Sequence, residues 1–151
     1  MNQDFQDLLH ELSAANARFL VVGAYAMAVH EVPRATGDID VWVEPTAENA
    51  AKVWEALKQF GAPLQHITIR DLSQPDVVFQ MGPPPRRIDI LTQISGVEFE
   101  VAWQNRISGM FGEVEAFVIG TDELLQNKRA TGRPRDLIDV DMLEEFFSKH
   151  I

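Results

Sequence analysis

Two short segments carry three aspartates whose type and spacing suit metal chemistry. Asp38 and Asp40 open the segment GDIDVWVEP (37–45), which otherwise consists mainly of core-type residues. Alternate side chains of a β-strand share a face, so these two carboxylates would point the same way, with their Cα atoms about 7 Å apart. Asp89 has matching surroundings in RIDILTQ (87–93). If the second segment pairs with the first as a strand, three carboxylates meet at one place.

Three neighbouring carboxylates repel one another at low dielectric, so a cation has to offset their charge. Oxygen ligands without sulfur or histidine favour Mg²⁺ or Mn²⁺. Magnesium held by carboxylates completes its shell with substrate phosphates, and two such ions about 3.5–4 Å apart promote in-line displacement at phosphorus. Two alternatives remain: strand-end charges exposed to water, and the Asp-x-Asp of sugar transferases. A calcium loop is disfavoured because Val41, Trp42 and Val43 stand where it needs ligands.

A glycine between a predicted strand and a predicted helix precedes the acid pair. In LVVGAYAMAVHE (20–31), Gly23 would let a phosphate approach the backbone, and the helix that follows would offer unpaired N–H donors. The alternative is a plain tight turn. Because one short helix and a loop separate this glycine from Asp38, the phosphate cradle and the acid pair would lie on neighbouring strands. Such an arrangement suits a nucleoside triphosphate.

The elements that must position these residues follow from hydrophobic periodicity and from the turn residues between segments. Thr46 is a good N-cap for the third helix, and Gly61 with Pro63 ends that helix. The predicted helices are 3–17, 24–31, 46–60, 98–106, 121–130 with Thr121 as its cap, and the segment after Pro134. The predicted strands are 18–23, 38–44, 87–94 and 113–120, with 66–72 and 76–82 as further short strands. Interleaved strands and helices predict one α/β or α+β domain.

Composition limits the class of protein. The chain has 151 residues and no cysteine, so we expect a single domain (1–151) without disulfides or thiolate metal sites. No apolar run reaches the roughly 18 residues of a membrane span, and the acidic N-terminus lacks a signal pattern; both favour a cytoplasmic protein. A net charge of −10 argues against a nucleic-acid-binding protein. The basic exceptions are Arg86–Arg87 and a run that marks either a phosphate site or a solvated turn: Lys128, Arg129, Arg133 and Arg135.

Taken together, these segments resemble the signature of the polymerase-beta nucleotidyltransferase superfamily: a glycine at a strand end, a helix, Asp-x-Asp, and a third Asp on a later strand. The segment GAYAMAVHEVPRATGDIDVWVEP (23–45) carries most of it. With RIDIL (87–91) and NKRATGRPRDLIDV (127–140), the chain is similar to small bacterial nucleotidyltransferase-like proteins related to toxin–antitoxin nucleotidyltransferases. The resemblance covers about residues 18–145. It implies an α/β (α+β) nucleotidyltransferase fold, a mixed β-sheet flanked by helices, with C-terminal helices (120–151) packed on it.

The resemblance also implies roles for individual positions. Asp38 and Asp40 would bind two Mg²⁺ ions, and Asp89 would bind the catalytic ion and assist deprotonation of the acceptor hydroxyl. Gly23 and Ala24 would lie against the triphosphate. The superfamily usually has Gly-Ser or Gly-Gly at this place. Ala24 therefore lacks a hydroxyl hydrogen bond to phosphate that is worth roughly 1.5–3 kcal/mol.

Two basic residues are further candidates for nucleotide binding. Arg34 precedes the acid pair and would either contact phosphate or form a salt bridge to one of the acids. Lys128 would reach the triphosphate from a later helix, or else lie in solvent. Asp136 and Asp139 are one helical turn apart, and we interpret them as structural partners of arginines in the basic run.

The implied function is a magnesium-dependent nucleotidyltransferase. It would move a nucleoside monophosphate from a nucleoside triphosphate, with ATP among the candidates, to an unidentified acceptor hydroxyl on a protein, an RNA or a small molecule. The alternative is a non-catalytic nucleotide-binding or antitoxin-like partner module that keeps the fold. About 30 residues follow position 120, too few for a separate substrate domain. We therefore expect a partner surface, a homodimer or a toxin-like partner, and no membrane association.

Overall fold

Within the residues that the structure describes, six strands form one mixed sheet with helices packed around it. A computed structural model describes residues 1–32, 37–83 and 85–149. The helices are Gln3–Ala14 (α1), Gly23–Val29 (α2), Ala47–Phe60 (α3), Phe99–Gln104 (α4), Thr121–Thr131 (α5) and Pro134–Lys149 (α6). The strands are Phe19–Val22 (β1), Ile39–Val43 (β2), Val78–Met81 (β3), Ile88–Leu91 (β4), Ile107–Phe111 (β5) and Val114–Val118 (β6). Within these ranges, no helix combines the length and apolarity needed to cross a membrane.

The order of the strands places the acidic segments at the centre of the sheet. The order is β3-β4-β2-β1-β6-β5. Strand β2 runs antiparallel to β1 and parallel to β4. In this register Asp40 is opposite Val22 on one side and opposite Asp89 on the other. The predicted pairing of the two acidic strands is therefore confirmed, and Gly23 follows directly at the end of the neighbouring strand.

Burial explains why the central strands read as almost continuous apolar runs. All four residues of β1 are buried, and β2 is buried except at Asp40. Strands covered on both faces need apolar side chains at every position, so an acid inside such a strand is a departure from the pattern. Helix α1 packs on α3, and α2 packs on β1 and β2. Asp40 is thus held at the end of a rigid, well-packed strand.

Helix ends agree with the predicted capping at α3 and differ at α5. The Thr46 hydroxyl accepts the backbone N–H of Asn49 at 3.2 Å, and Gly61 ends α3 with a φ of +89°. At α5 the N-cap is Gly120, so the prediction of Thr121 as the cap is wrong. The Thr121 hydroxyl instead lies 3.1 Å from Nδ1 of His30, a tertiary contact that a capping rule does not detect.

Two segments, residues 66–72 and β5, differ from the predicted elements. Residues 66–72 do not form a strand; they make turns that lead into a 3₁₀ turn at Asp71–Ser73. The Asp71 carboxylate accepts the N–H of Thr68 at 2.9 Å, a local side-chain hydrogen bond that competes with strand pairing. Strand β5 has no counterpart among the predicted elements. It is an exposed edge strand interrupted by Gly109, and both features weaken the alternating pattern.

Candidate functional site

A cavity of about 570 Å³ opens where the ends of β1, β2 and β4 face the C-terminal helices. The predicted site residues that line it are Gly23, Ala24, Asp38, Asp40, Asp89 and Lys128. The other polar residues in its wall are Arg87, Gln93, Ser95, Asn127, Thr131, Arg133, Arg135, Asp136 and Asp139. Arg34, the remaining candidate, lies outside the described residues. The fold therefore brings together three parts of the chain, residues 23–40, Asp89 and Lys128, which are about 40 residues or more apart in the sequence.

The acidic group of the cavity comprises Asp38, Asp40 and Asp89. Parallel pairing sets Asp40 directly beside Asp89, while Asp38 precedes β2. Burial raises the pKa of Asp40 to about 6, and the charge and hydrogen bond of Asp89 and the charge of Asp38 act in the same direction. Arg87 opposes this shift. Asp40 therefore ionises less readily than an ordinary aspartate.

This pKa has a consequence for the metal-free protein. From pH 4 to pH 6 the folded state keeps a proton on Asp40 that the unfolded state releases, so the free energy of unfolding falls as pH rises. The shift from 3.8 to about 6 corresponds to about 2–3 kcal/mol at most. In chelator, Asp40→Asn should therefore match wild type near pH 4 and exceed it in stability at pH 8. Urea unfolding at both pH values measures this difference, and a pH-independent difference would contradict it.

Arg87 supplies the cation that the three acids require. Its Nε lies 2.8 Å from Oδ1 of Asp89 and its Nη2 lies 3.3 Å from Oδ2 of the same residue. Nη2 is also 3.5 Å from Oδ2 of Asp38, and the backbone N–H of Arg87 donates to Asp38 Oδ1 at 2.9 Å. The sequence suggested a metal ion for this task and treated Arg87 only as part of a basic pair. The spacing indicated this contact, because Arg87 directly precedes β4 and lies two residues before Asp89, so that both side chains share a face.

The donor set fits a hard divalent cation in its chemistry. Three carboxylates from two paired strands line the cavity without sulfur ligands, which suits Mg²⁺ or Mn²⁺. Within the described ranges, no three acidic or histidine side chains are already gathered in the arrangement of a metal site. Arg87 forms ion pairs with both Asp38 and Asp89. A bound ion would be held by Asp38, Asp40 and Asp89.

Gly23 is required at its position for two separate reasons. Its φ is +70°, a conformation that residues with a side chain rarely adopt. A Cβ at this position would overlap Oδ2 of Asp40. The sequence analysis justified this glycine by the approach of a phosphate; the structure adds that its missing side chain makes room for a carboxylate. The backbone at Gly23 therefore fixes where the Asp40 side chain lies.

Gly23→Ala is expected to destabilise the protein by about 2–4 kcal/mol, since backbone strain and displacement of Asp40 add to each other. Gly61→Ala is the matched control. Gly61 has a φ of +89°, but a Cβ there meets nothing within 4 Å, so only the strain of about 1–2 kcal/mol applies. Chemical denaturation of both variants separates the two contributions. Equal losses in the two variants would show that Asp40 adapts to the added methyl group without cost.

A second charged group faces the acids from the C-terminal helices. Lys128 on α5 is only 5% exposed, and its Nζ lies 2.9 Å from Oδ2 of Asp139 and 3.3 Å from Oδ1 of Asp136. Asp136 also accepts from the Thr131 hydroxyl at 2.6 Å and from Nε of Arg133 at 2.7 Å. Burial alone would raise the pKa of Asp136, but these hydrogen bonds and the charge of Lys128 outweigh it and lower the pKa.

These contacts decide between the alternatives for the basic run. The predicted pairing of Asp136 with Arg133 is confirmed. Asp139 pairs with Lys128, whereas Arg129 pairs with Glu144 on the surface. The ammonium group of Lys128 is not in solvent, since two buried carboxylates hold it. Its position in the cavity wall gives it a structural task between α5 and α6.

Arg135 is the basic residue of the cavity that remains available to a ligand. It lies in the first turn of α6, is exposed and lines the cavity. Within the described part of the chain, no carboxylate is paired with its guanidinium. The sequence analysis noted Arg135 only as a member of the basic run. Its position opposite the acids makes it the better candidate than Lys128 for contact with an anionic group.

The fold has a relative among solved structures. It is a candidate nucleotidyltransferase of Thermotoga maritima, which matches with a TM-score of 0.60 over 97% of this chain and 92% of its own, at 10% sequence identity. No family model matches the chain, and no curated protein matches it at a significant level. At this identity the likeness concerns the fold. The predicted nucleotidyltransferase-like architecture, with a mixed sheet, flanking helices and C-terminal helices, is thereby confirmed.

Proposed function

We propose that this chain is a magnesium-dependent nucleotidyltransferase that transfers a nucleoside monophosphate from a nucleoside triphosphate to an acceptor hydroxyl. The observation that carries the proposal is the in-register pairing of Asp40 with Asp89 next to Gly23, in a cavity whose opposite wall presents Arg135. Carboxylates on one wall and a cation on the other suit a metal–triphosphate complex. The nucleotidyltransferase-like fold agrees with this proposal.

Each residue of the site has a defined task in this mechanism. Asp38, Asp40 and Asp89 would hold the divalent cations, which would neutralise charge on the triphosphate and lower the pKa of the acceptor hydroxyl. Asp89 accepts the proton of that hydroxyl as its oxygen attacks the α-phosphorus and pyrophosphate leaves. Arg135 binds the phosphates that leave and keeps the α-phosphorus in line with the acceptor. The backbone at Gly23 and Ala24 lets the triphosphate lie close to β1.

One observation favours a second candidate, a non-catalytic nucleotide-binding or antitoxin-like module. Arg87 already forms ion pairs with both Asp38 and Asp89. A site that is permanently occupied in this way would keep its shape without turning over. The relation to toxin–antitoxin nucleotidyltransferases and a toxin-like partner belong to this proposal because the resemblance implies them. A cytoplasmic location and a homodimer belong to it as expectations from the sequence.

The position of the label in the triphosphate distinguishes the two candidates. The protein is incubated with Mg²⁺, cell extract as the acceptor source, and nucleoside triphosphates labelled at either the α- or the γ-phosphate. Transfer of the α-label alone, abolished by chelator, supports nucleotidyl transfer. Transfer of the γ-label would instead show phosphoryl transfer and contradict the proposal. Nucleotide binding by equilibrium dialysis, without transfer of either label, supports the non-catalytic module.

A further inference from the structure

We infer that Arg87 is a built-in counter-ion whose guanidinium group competes with divalent metal for the oxygens of Asp38 and Asp89. The competition concerns only the free protein and the metal. A second element of the inference, that a polyphosphate anion relieves the competition, rests on the proposed function.

Arg87 contacts every carboxylate oxygen of the two candidate metal ligands Asp38 and Asp89. Its side chain engages both oxygens of Asp89, at 2.8 and 3.3 Å, and Oδ2 of Asp38 at 3.5 Å. Its backbone N–H takes the remaining oxygen, Oδ1 of Asp38, at 2.9 Å. All four carboxylate oxygens of these two aspartates therefore contact one residue.

A metal ion would have to share its carboxylate ligands with the guanidinium. Each of the four oxygens already contacts an N–H group of Arg87, and magnesium requires oxygen ligands at about 2.0–2.1 Å in a near-octahedral shell, so the two cations compete for the same oxygens. Two cations on the same pair of carboxylates would also repel each other. The Arg87 side chain is 32% exposed, and the Asp89 side chain 11%. Arg87 is therefore the partner that is able to move toward solvent while Asp89 stays in its strand.

This geometry favours joint binding of metal and nucleotide over binding of metal alone. A triphosphate offers the displaced guanidinium a new anionic partner and offers the metal new oxygen ligands. Binding of either ligand then makes the free energy of binding the other more favourable, which is positive coupling between two sites. Metal alone has to displace Arg87 without this compensation, so the free protein should bind metal weakly.

The test measures Mn²⁺ binding to the full-length, nucleotide-free protein by calorimetry or by the electron paramagnetic resonance signal of free Mn²⁺. Arg87→Gln should bind Mn²⁺ at least about tenfold more tightly than wild type, because charged hydrogen bonds no longer compete with the ion. Arg70→Gln is the control for net charge, since Arg70 is exposed and does not line the cavity. Its affinity should stay within about twofold of wild type, as salt screens remote charges. Adding Asp40→Asn to Arg87→Gln should remove the gain and so locate the ion.

Two further measurements keep the inference open to refutation. Circular dichroism and a thermal melt establish that Arg87→Gln is folded; if it is not, Arg87→Lys, which keeps the charge but not the two-oxygen contact, must show a smaller gain in Mn²⁺ affinity. A folded variant with wild-type affinity overturns the competition. A nonhydrolysable triphosphate should then raise the Mn²⁺ affinity of wild type more than that of Arg87→Gln. If Arg87→Gln gains affinity while the triphosphate affects neither protein, the competition stands and the proposed function fails.

Discussion

Asp40→Asn should lower nucleotidyl transfer by about 10³-fold or more while making the metal-free protein more stable at pH 8. The exchange keeps the size of the side chain and removes the charge that the metal ions need. It also removes an ionised carboxylate that burial and the neighbouring Asp89 and Asp38 disfavour. The same effects raise the pKa of Asp40 to about 6. Activity and stability therefore change in opposite directions, so loss of transfer cannot be attributed to unfolding.

The measurement combines transfer of the α-label with unfolding in chelator. Asp141→Asn is the matched control, because Asp141 is an exposed aspartate of α6 outside the cavity. That variant should retain transfer and change stability by no more than about 0.5 kcal/mol. If Asp40→Asn keeps a tenth or more of the wild-type transfer rate, Asp40 does not hold an essential ion and the proposed mechanism is wrong.

Lys128→Met is expected to cost about 3–5 kcal/mol of stability, because it leaves Asp136 and Asp139 with less of the positive charge that compensates their burial. Asp139 is only 2% exposed and Asp136 6%. Methionine fills a similar volume, so the effect reports lost charge more than lost packing. Urea unfolding at neutral pH, with the slope compared to wild type, gives the free energy.

Arg129→Met is the control for this prediction. Arg129 is the next residue of α5, but its ion pair with Glu144 lies on the surface, with about half of each side chain exposed. Its loss should cost no more than about 1 kcal/mol. Asp139→Asn in the Lys128→Met background should recover part of the stability, since it removes a buried charge that Lys128 no longer compensates. Equal losses for Lys128→Met and Arg129→Met would refute a structural task for the buried group.

The sequence was sufficient to predict the acidic part of the site. Core-type residues around Asp38, Asp40 and Asp89 indicated two buried strands, and the glycine at position 23 marked the end of a third. Once these strands pair in the observed register, Asp40 and Asp89 become neighbours. Local pattern and a single assumption about pairing were enough, because strands with apolar faces have few other ways to be buried.

The basic part of the site could not be predicted in the same way. The partner of Lys128 depends on how α6 folds back on α5, which no local pattern specifies. The side chain of Arg87 had at least two possible directions, toward solvent or toward the acids, and the choice follows from electrostatic repulsion among residues that are close only in the folded chain. The predicted strand at 66–72 and the omission of β5 were wrong for a related reason. A side-chain hydrogen bond within 66–72 and the edge position of β5 outweighed the hydrophobic pattern.

The sheet side of the cavity carries three aspartates, and its α6 side carries the exposed Arg135. An uncharged sugar would leave the charges of both sides uncompensated, and a simple anion or cation would be attracted by one side and repelled by the other. An anion that carries its own cation would complement both sides. Under the proposed function, this separation of charge would favour the metal complex of a polyanion over either ion alone.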